Sequence, residues 1–115
     1  MPDLAEAAVF DANQLRNICM EDVDLMRELA VSLVDDANSQ IPALTDAIEH
    51  GDSTRCARLA HYVKGACANV GAVALAALMK SIERDAAAGD FAACRVALGN
   101  LNTELQRFSA KTASL

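Results

Sequence analysis

The stretch of residues 53–70, STRCARLAHYVKGACANV, has apolar side chains spaced three and four residues apart, as in an amphipathic α-helix. At about 100° per residue, these side chains fall on one side of the helix, which we expect to face a core. His61 falls on the opposite side, so its ring is predicted to be exposed to solvent. The residues predicted to face the core are Cys56, Leu59, Val63, Ala66 and Val70.

Glycine and aspartate residues mark the ends of this helix and of its neighbours. Three glycines lie where a helix is expected to end, and two of them are followed by an aspartate, which caps helix starts. A further aspartate, three residues before a glutamine, forms a weak capping box. These residues are Gly51-Asp52, Gly71, Gly89-Asp90, and Asp11 with Gln14. The predicted helices span about 11–18, 22–49, 53–70, 73–88 and 91–109.

No stretch between these boundaries alternates β-branched and polar residues, so no strand is predicted. The short connections require neighbouring helices to run in opposite directions. We therefore predict an all-α fold, an antiparallel up-and-down four-helix bundle with a short additional N-terminal helix. The 115 residues are expected to form a single domain, 1–115, around one modest core.

Two of the long helices carry apolar stripes that we assign to the core. Within 22–49, Pro42 gives no N–H to the carbonyl of Asn38, so a kink or a break is expected near 38–41. Beyond Lys111 the chain is expected to fray. The stripes are Met26, Leu29, Leu33, Ala37, Ile41, Leu44 and Ile48 in one helix, and Phe91, Cys94, Leu98, Leu101, Leu105 and Phe108 in the other.

The composition excludes several classes of protein. Sixteen acidic against ten basic residues leave a net charge of −6, which argues against general binding to nucleic acid or to an anionic membrane. No apolar run is long enough to span a bilayer, and residues 1–6, MPDLAE, lack the layout of a signal peptide. We therefore expect a soluble, cytoplasmic, monomeric protein. Small buried apolar residues, neither disulfide-bonded nor metal-binding, are expected at Cys19, Cys56, Cys67 and Cys94.

The surroundings of His61 suit a bulky anion. Lys64 supplies a cation three residues on, Gly65 adds no side chain four residues on, and Arg58 is a second cation. A glycine costs roughly 1 kcal/mol relative to alanine in a helix interior, a cost that a chain tolerates where another protein must approach closely. The natural anion is a phosphoryl group carried on the imidazole itself. Ala57 and Ala68 also have short side chains on this face, which leaves room for a partner.

The chain resembles the histidine-containing phosphotransfer (HPt) domains, most specifically between Leu59 and Asp90. The matching elements are Ala60-His61, Lys64-Gly65, Ala66-Cys67-Ala68, Gly71-Ala72, Leu75, Ile82-Glu83 and Gly89-Asp90. Looser similarity extends into the flanking helices. Tyr62 and Val63 depart from the commonest form of the signature. The departure at Tyr62 bears on the choice of partner.

The resemblance implies a role for each residue of the site. His61 would be the phosphorylated histidine, Lys64 the cation that steadies the phosphoryl oxygens, and Gly65 the gap that admits the partner. Glu83, on the adjacent helix, would either hold the ring nitrogen that does not react or pair with Lys64 or Lys80; the sequence leaves both open. The residues expected at the partner-binding surface are Ala57, Arg58, Tyr62, Lys64, Gly65, Ala68 and Glu83.

The resemblance also implies partners. The chain would be a phosphoryl carrier and not an enzyme, in a two-component phosphorelay. It would take the group from the aspartate of a receiver domain, or from a sensor or hybrid histidine kinase, and pass it to the receiver aspartate of a response regulator. The chain has no cofactor motif, so Mg²⁺ would come from the receiver domain. The charges between Ser53 and Gly71, namely Arg55, Arg58 and Lys64, are all positive and would complement an acidic receiver pocket.

Other interpretations explain less of the sequence. A helical interaction module accounts for the apolar stripes but not for His61, Lys64 and Gly65 on the polar face. A hydrolase with His61 as general base lacks a nucleophile on the same face. A domain excised from a chemotaxis-type or hybrid kinase stays open, although the initial Met and the lack of a kinase segment favour a stand-alone relay protein. His50, at the end of a helix, is assigned a structural role.

Overall fold

The computed structural model describes residues 9–115, and these residues form five α-helices and no strand. The predicted all-α class is confirmed. The expectation for residues 1–6 lies outside the described residues. The helices are α1 (Ala12–Ile18), α2 (Val23–Glu49), α3 (Ser53–Asn69), α4 (Val73–Ala87) and α5 (Phe91–Ala113). The four long helices contact one another in a ring, α2 with α3, α3 with α4, α4 with α5, and α5 with α2.

The helix boundaries follow the local chemistry that the sequence indicates. Four of the five helices start after an aspartate whose carboxylate accepts a hydrogen bond from the backbone N–H three residues on. Only α4 has no side-chain cap, because the alanine at this position has no acceptor. The capping residues are Asp11, Asp22, Asp52 and Asp90, and the glycines that leave helices with positive φ are Gly51, Gly71 and Gly89.

The two predicted stripes of α2 and α5 line the core. Most of their side chains are fully buried, and Leu29, Ile41, Phe91 and Leu98 are partly buried against that core. The buried members are Met26, Leu33, Ala37, Leu44 and Ile48 from α2, and Cys94, Leu101, Leu105 and Phe108 from α5.

The buried face of α3 is rotated relative to the prediction. Cys56 and Val63 are fully buried as expected, but Ala60 and Cys67 share the centre of the face with them. The other three residues predicted to face the core, Leu59, Ala66 and Val70, are only partly buried. The rotation follows from packing, because α3 makes its most extensive contact with α4 and the small side chains let that helix approach closely. His61 stays on the solvent side in either register.

The helices continue further than expected at two places. Helix α2 runs unbroken through Pro42, so the break that was one of the two expected outcomes does not occur, and the other outcome, a kink, stays a prediction. Pro42 is exposed, so water can satisfy the Asn38 carbonyl that has lost its partner. Leu44 and Ile48 hold the following turns against the core, as predicted. Helix α5 continues beyond Lys111 and ends at Ala113, since Thr112 is buried and its hydroxyl donates to the carbonyl of Phe108 at 3.0 Å.

The segment before α2 packs against the turn between α3 and α4. The backbone N–H of Asp11 donates to the carbonyl of Gly71 at 2.7 Å, and the Gln14 amide donates to the carbonyl of Ala68 at 2.5 Å. Phe10 meets Phe108 of α5 edge to face, with the ring centroids 5.6 Å apart. The N-terminal helix is therefore attached to the end of the helix that carries His61.

Candidate functional site

The site is built where the middle of α3 meets the second half of α4. The His61 side chain is 68% exposed, and its Nδ1 lies 3.1 Å from Glu83 Oε1. The ammonium of Lys64, one turn further along α3, donates to Glu83 Oε2 at 2.9 Å. Glu83 thus contacts both the imidazole and the lysine, so the pairing with Lys64 that the sequence left open is present together with a contact to the ring. Lys80 is not its partner.

The Glu83 carboxylate is held in its ionised form. The hydrogen bond from Lys64 lowers the pKa of Glu83, and the hydrogen bond to His61 acts in the same direction against partial burial. An ionised carboxylate accepts hydrogen bonds and cannot donate one, so Nδ1 of His61 must carry the hydrogen in this contact. In the neutral form of the ring, the lone pair is then on the other nitrogen, Nε2, and the side chain is exposed.

An open groove runs from this cluster between α3 and α4. Gly65 lies in it, and apart from its chain neighbours and the adjacent backbone of its own helix, no atom comes within 4 Å of the position that a Cβ there would occupy. The groove is floored by small side chains and flanked by two lysines. Its lining residues are Lys64, Gly65, Ala68, Ala76, Ala77 and Lys80.

The structure places the remaining predicted surface residues around the same ring. Arg58 is exposed one turn before His61, Tyr62 is 56% exposed, Ala57 is half-buried and Ala68 is exposed in the groove. None of them contacts the imidazole through a hydrogen bond. Lys80 was expected only as one of two candidate ion-pair partners of Glu83 and not as part of the partner-binding surface, although its position three residues before Glu83 puts it on the same face of α4.

Of the three cations on α3 that were expected to complement an acidic partner, two are paired with carboxylates in the structure. Arg55 donates to Asp46 of α2 at 2.6 Å, which neutralises it. Lys64 is paired with Glu83. Within the part of the chain that the structure describes, only Arg58 of the three has no carboxylate partner. The sequence left the Lys64–Glu83 pair open and did not indicate the Arg55–Asp46 pair, because both carboxylates come from other helices.

The second histidine has a local structural contact. His50 closes α2, and its Nδ1 lies 2.8 Å from the backbone carbonyl of Asp46. That hydrogen bond, together with the nearby Asp46 carboxylate, raises the pKa of His50. It makes no contact with the cluster around His61.

All four cysteines are free and buried. Burial raises the pKa of Cys56 to about 11 and that of Cys67 to about 12, so both thiols stay protonated and unreactive near neutral pH. Among residues 9–115, no three His, Cys, Asp or Glu side chains converge in a way that would hold a metal ion. Nor is any helix of these residues long and apolar enough to cross a membrane.

Comparison with known proteins agrees with this geometry. The protein-family model of the Hpt domain matches residues 28–111, which cover most of the chain, and the chain therefore belongs to that family. Members of the family are phosphoryl carriers rather than enzymes, and they interact with receiver domains and kinases in phosphorelays.

A solved structure has the same fold. The crystal structure of histidine-containing phosphotransfer protein B (HptB) from Pseudomonas aeruginosa PAO1 matches with a TM-score of 0.84 and 24% sequence identity, and the match covers 95% of each chain. No curated protein matches the sequence at a significant level.

Proposed function

We propose that His61 is the phosphoryl-accepting residue of a phosphorelay and that Nε2 is the reacting atom. The observation that carries this proposal is the contact of Nδ1 with the ionised Glu83. It keeps the hydrogen on Nδ1 and leaves the Nε2 lone pair directed to solvent, where a partner has access. This contact supports the first of the two roles that the resemblance implied for Glu83, while the pairing with Lys64 supports the second.

The transfer step needs only groups that the two proteins supply together. The Nε2 lone pair forms a bond to phosphorus while the phosphorus–oxygen bond of an aspartyl phosphate breaks, and the carboxylate leaves with that electron pair. The reverse step passes the group to the receiver aspartate of a response regulator. Phosphoryl transfer depends mainly on in-line positioning and charge neutralisation.

Lys64 is the residue that supplies charge neutralisation from this side of the interface. Its ammonium lies against Glu83, one turn from the imidazole, so a small movement would bring it to the phosphoryl oxygens. Arg58, exposed on the same face, adds to the positive potential. Gly65 leaves the approach to Nε2 open. The contacting surface is proposed to consist of Ala57, Arg58, Tyr62, Lys64, Gly65, Ala68 and Glu83.

The partner in this proposal is a receiver domain, with a sensor or hybrid histidine kinase as the alternative donor. The proposal also includes Mg²⁺, which would be supplied by the receiver domain, as the resemblance implies. We further propose that the protein acts as a cytoplasmic monomer, since one copy contains every residue assigned to the site.

The helix directions belong to the same proposal, in which the bundle is antiparallel and up-and-down. The hydroxyl of Ser53, at the start of α3, donates to the carbonyl of Ala86, near the end of α4, at 2.5 Å. Cys94, in the first turn of α5, lies 3.7 Å from the carbonyl of Ile82. Both contacts join the start of one helix to the later part of its neighbour, as a reversal of direction requires.

Label transfer from phosphorylated receiver domains tests the proposal. His61→Gln should accept no label and keep the wild-type circular dichroism spectrum and melting temperature, because an exposed side chain contributes little to folding. His50→Gln is the matched control, since it removes the other histidine and should accept label normally. Label retained on His61→Gln and lost on His50→Gln would refute the assignment.

A further inference from the structure

The groove beside His61 differs in charge from the protein as a whole. The chain carries a net charge of −6, yet the groove between α3 and α4 has a lysine on each wall and no carboxylate in its lining. Lys64 stands on the α3 wall and Lys80 on the α4 wall. Between them lie only a glycine and alanines, so a partner's side chain can enter without displacing anything bulky.

The two lysines are not equivalent. The ammonium of Lys64 is engaged by Glu83 at 2.9 Å and is only 28% exposed. Lys80 is exposed, and its side chain makes no hydrogen bond or ion pair with the other described residues. A partner can therefore bind the charge of Lys80 without breaking a contact within the protein. Because Lys80 lies one turn before Glu83 on α4, that charge borders the place where the phosphoryl group would arrive.

We propose that Lys80 is a partner-recognition residue and that the groove receives an acidic segment of the receiver domain. The inference rests on the proposed function and adds to it the residue that selects the partner by charge. The groove shares Lys64 and Gly65 with the surface around His61, so one bound domain would cover both. A charge at the edge of an interface acts mainly on the encounter rate and the register of docking, and its effect falls as salt increases.

The experiment measures transfer from a phosphorylated receiver domain to His61 as the receiver concentration is varied, at low salt and at about 0.5 M salt. Lys80→Glu should raise the half-saturating receiver concentration about tenfold at low salt, with the rate at saturation nearly unchanged. Lys80→Ala should have a smaller effect of the same kind. High salt should bring all variants close to wild type.

Arg95→Glu is the matched control, since it reverses an exposed cation of α5, a helix that contributes no residue to the groove. It should behave like the wild type at both salt concentrations. An effect of Lys80→Glu no larger than that of Arg95→Glu, or one confined to the saturating rate, would overturn the inference while wild-type transfer still upholds the proposed function. A wild-type protein that accepts no label from any receiver domain would overturn both.

Discussion

Glu83 is the residue through which the site is assembled, because its carboxylate contacts two different side chains of α3. Both oxygens lie close to Nδ1 of His61, at 3.1 and 3.2 Å, and Oε2 also accepts a hydrogen bond from the ammonium of Lys64. The same contacts lower the pKa of Glu83, which keeps it an acceptor at neutral pH. A single carboxylate from α4 thus sets the orientation of the ring and the position of the cation.

Substitution of Gly65 tests whether the partner approaches the face of α3 that carries His61. Gly65→Gln should fold normally and gain up to about 1 kcal/mol in the free energy of unfolding, because glutamine is the better helix former and the space beside this residue is open. The new side chain would stand next to His61 and keep a receiver aspartate out of line, so transfer should fall severely. Urea denaturation and label transfer measure the two effects.

The control for this change is Gly99→Gln. Gly99 is also within a helix, and open space surrounds its missing Cβ, but it belongs to α5. Its substitution should give a similar gain in stability and normal transfer. Equal transfer rates for the two variants would show that the partner does not contact the surface around Gly65.

At the scale of helices, the turn between α3 and α4 does more than reverse the chain. Gly71 has a φ of +76°, and a Cβ there would lie 2.5 Å from the carbonyl oxygen of Asp11. The backbone of Asp11, at the start of α1, therefore packs directly against Gly71. The Gln14 side chain adds a hydrogen bond to the carbonyl of Ala68 at the end of α3. The turn therefore couples the N-terminal helix to one end of the groove.

Gly71→Ala should cost more than the equivalent change at Gly89. Both glycines have positive φ, where a Cβ costs roughly 1–2 kcal/mol, but Gly89 has no atom near its missing Cβ. At Gly71 the clash with the Asp11 backbone should add a further ~1–3 kcal/mol in the free energy of unfolding. Urea denaturation of the two variants measures the difference. Equal losses would show that the N-terminal segment does not rest on this turn.

At the scale of the whole molecule, the core extends beyond the region that the family model matches. That region starts at residue 28, yet Val9, Phe10 and Leu15 are buried. Phe10 stacks edge to face on Phe108, near the end of α5, so residues from both ends of the described chain meet in one cluster. The N-terminal segment is thus part of the folded unit and not an appendage to it.

Phe10→Ala should lower the free energy of unfolding by about 3–5 kcal/mol, since it removes a buried ring and leaves a cavity against Phe108. Val96→Ala, at a side chain that is 69% exposed, should change it by no more than about 0.5 kcal/mol. Thermal and urea unfolding measure both. A Phe10→Ala protein as stable as Val96→Ala would show that the segment does not pack in solution.

Local patterns in the sequence predicted the helices and the exposure of His61. Apolar spacing, aspartate caps and glycine ends depend on residues within a few positions of one another, so they can be read along the chain. The same reasoning did not foresee that α2 continues through Pro42 or that α5 continues to Ala113, because there the surrounding structure decides whether a helix continues. An exposed proline is tolerated when the neighbouring turns are anchored in the core, and a buried threonine holds the last turn.

Only the tertiary structure decided how the charges are paired and which side of α3 is buried. The resemblance indicated that Glu83 belongs to the site but not which atoms it contacts. Of the three cations on α3, Arg55 forms an ion pair with Asp46 and Lys64 forms one with Glu83. These partners lie on α2 and α4, and their distances depend on how the helices rotate as they pack. Hydrogen bonds and ion pairs act over a few ångströms, so contacts between residues nineteen or twenty-two positions apart form only after the bundle has brought them together.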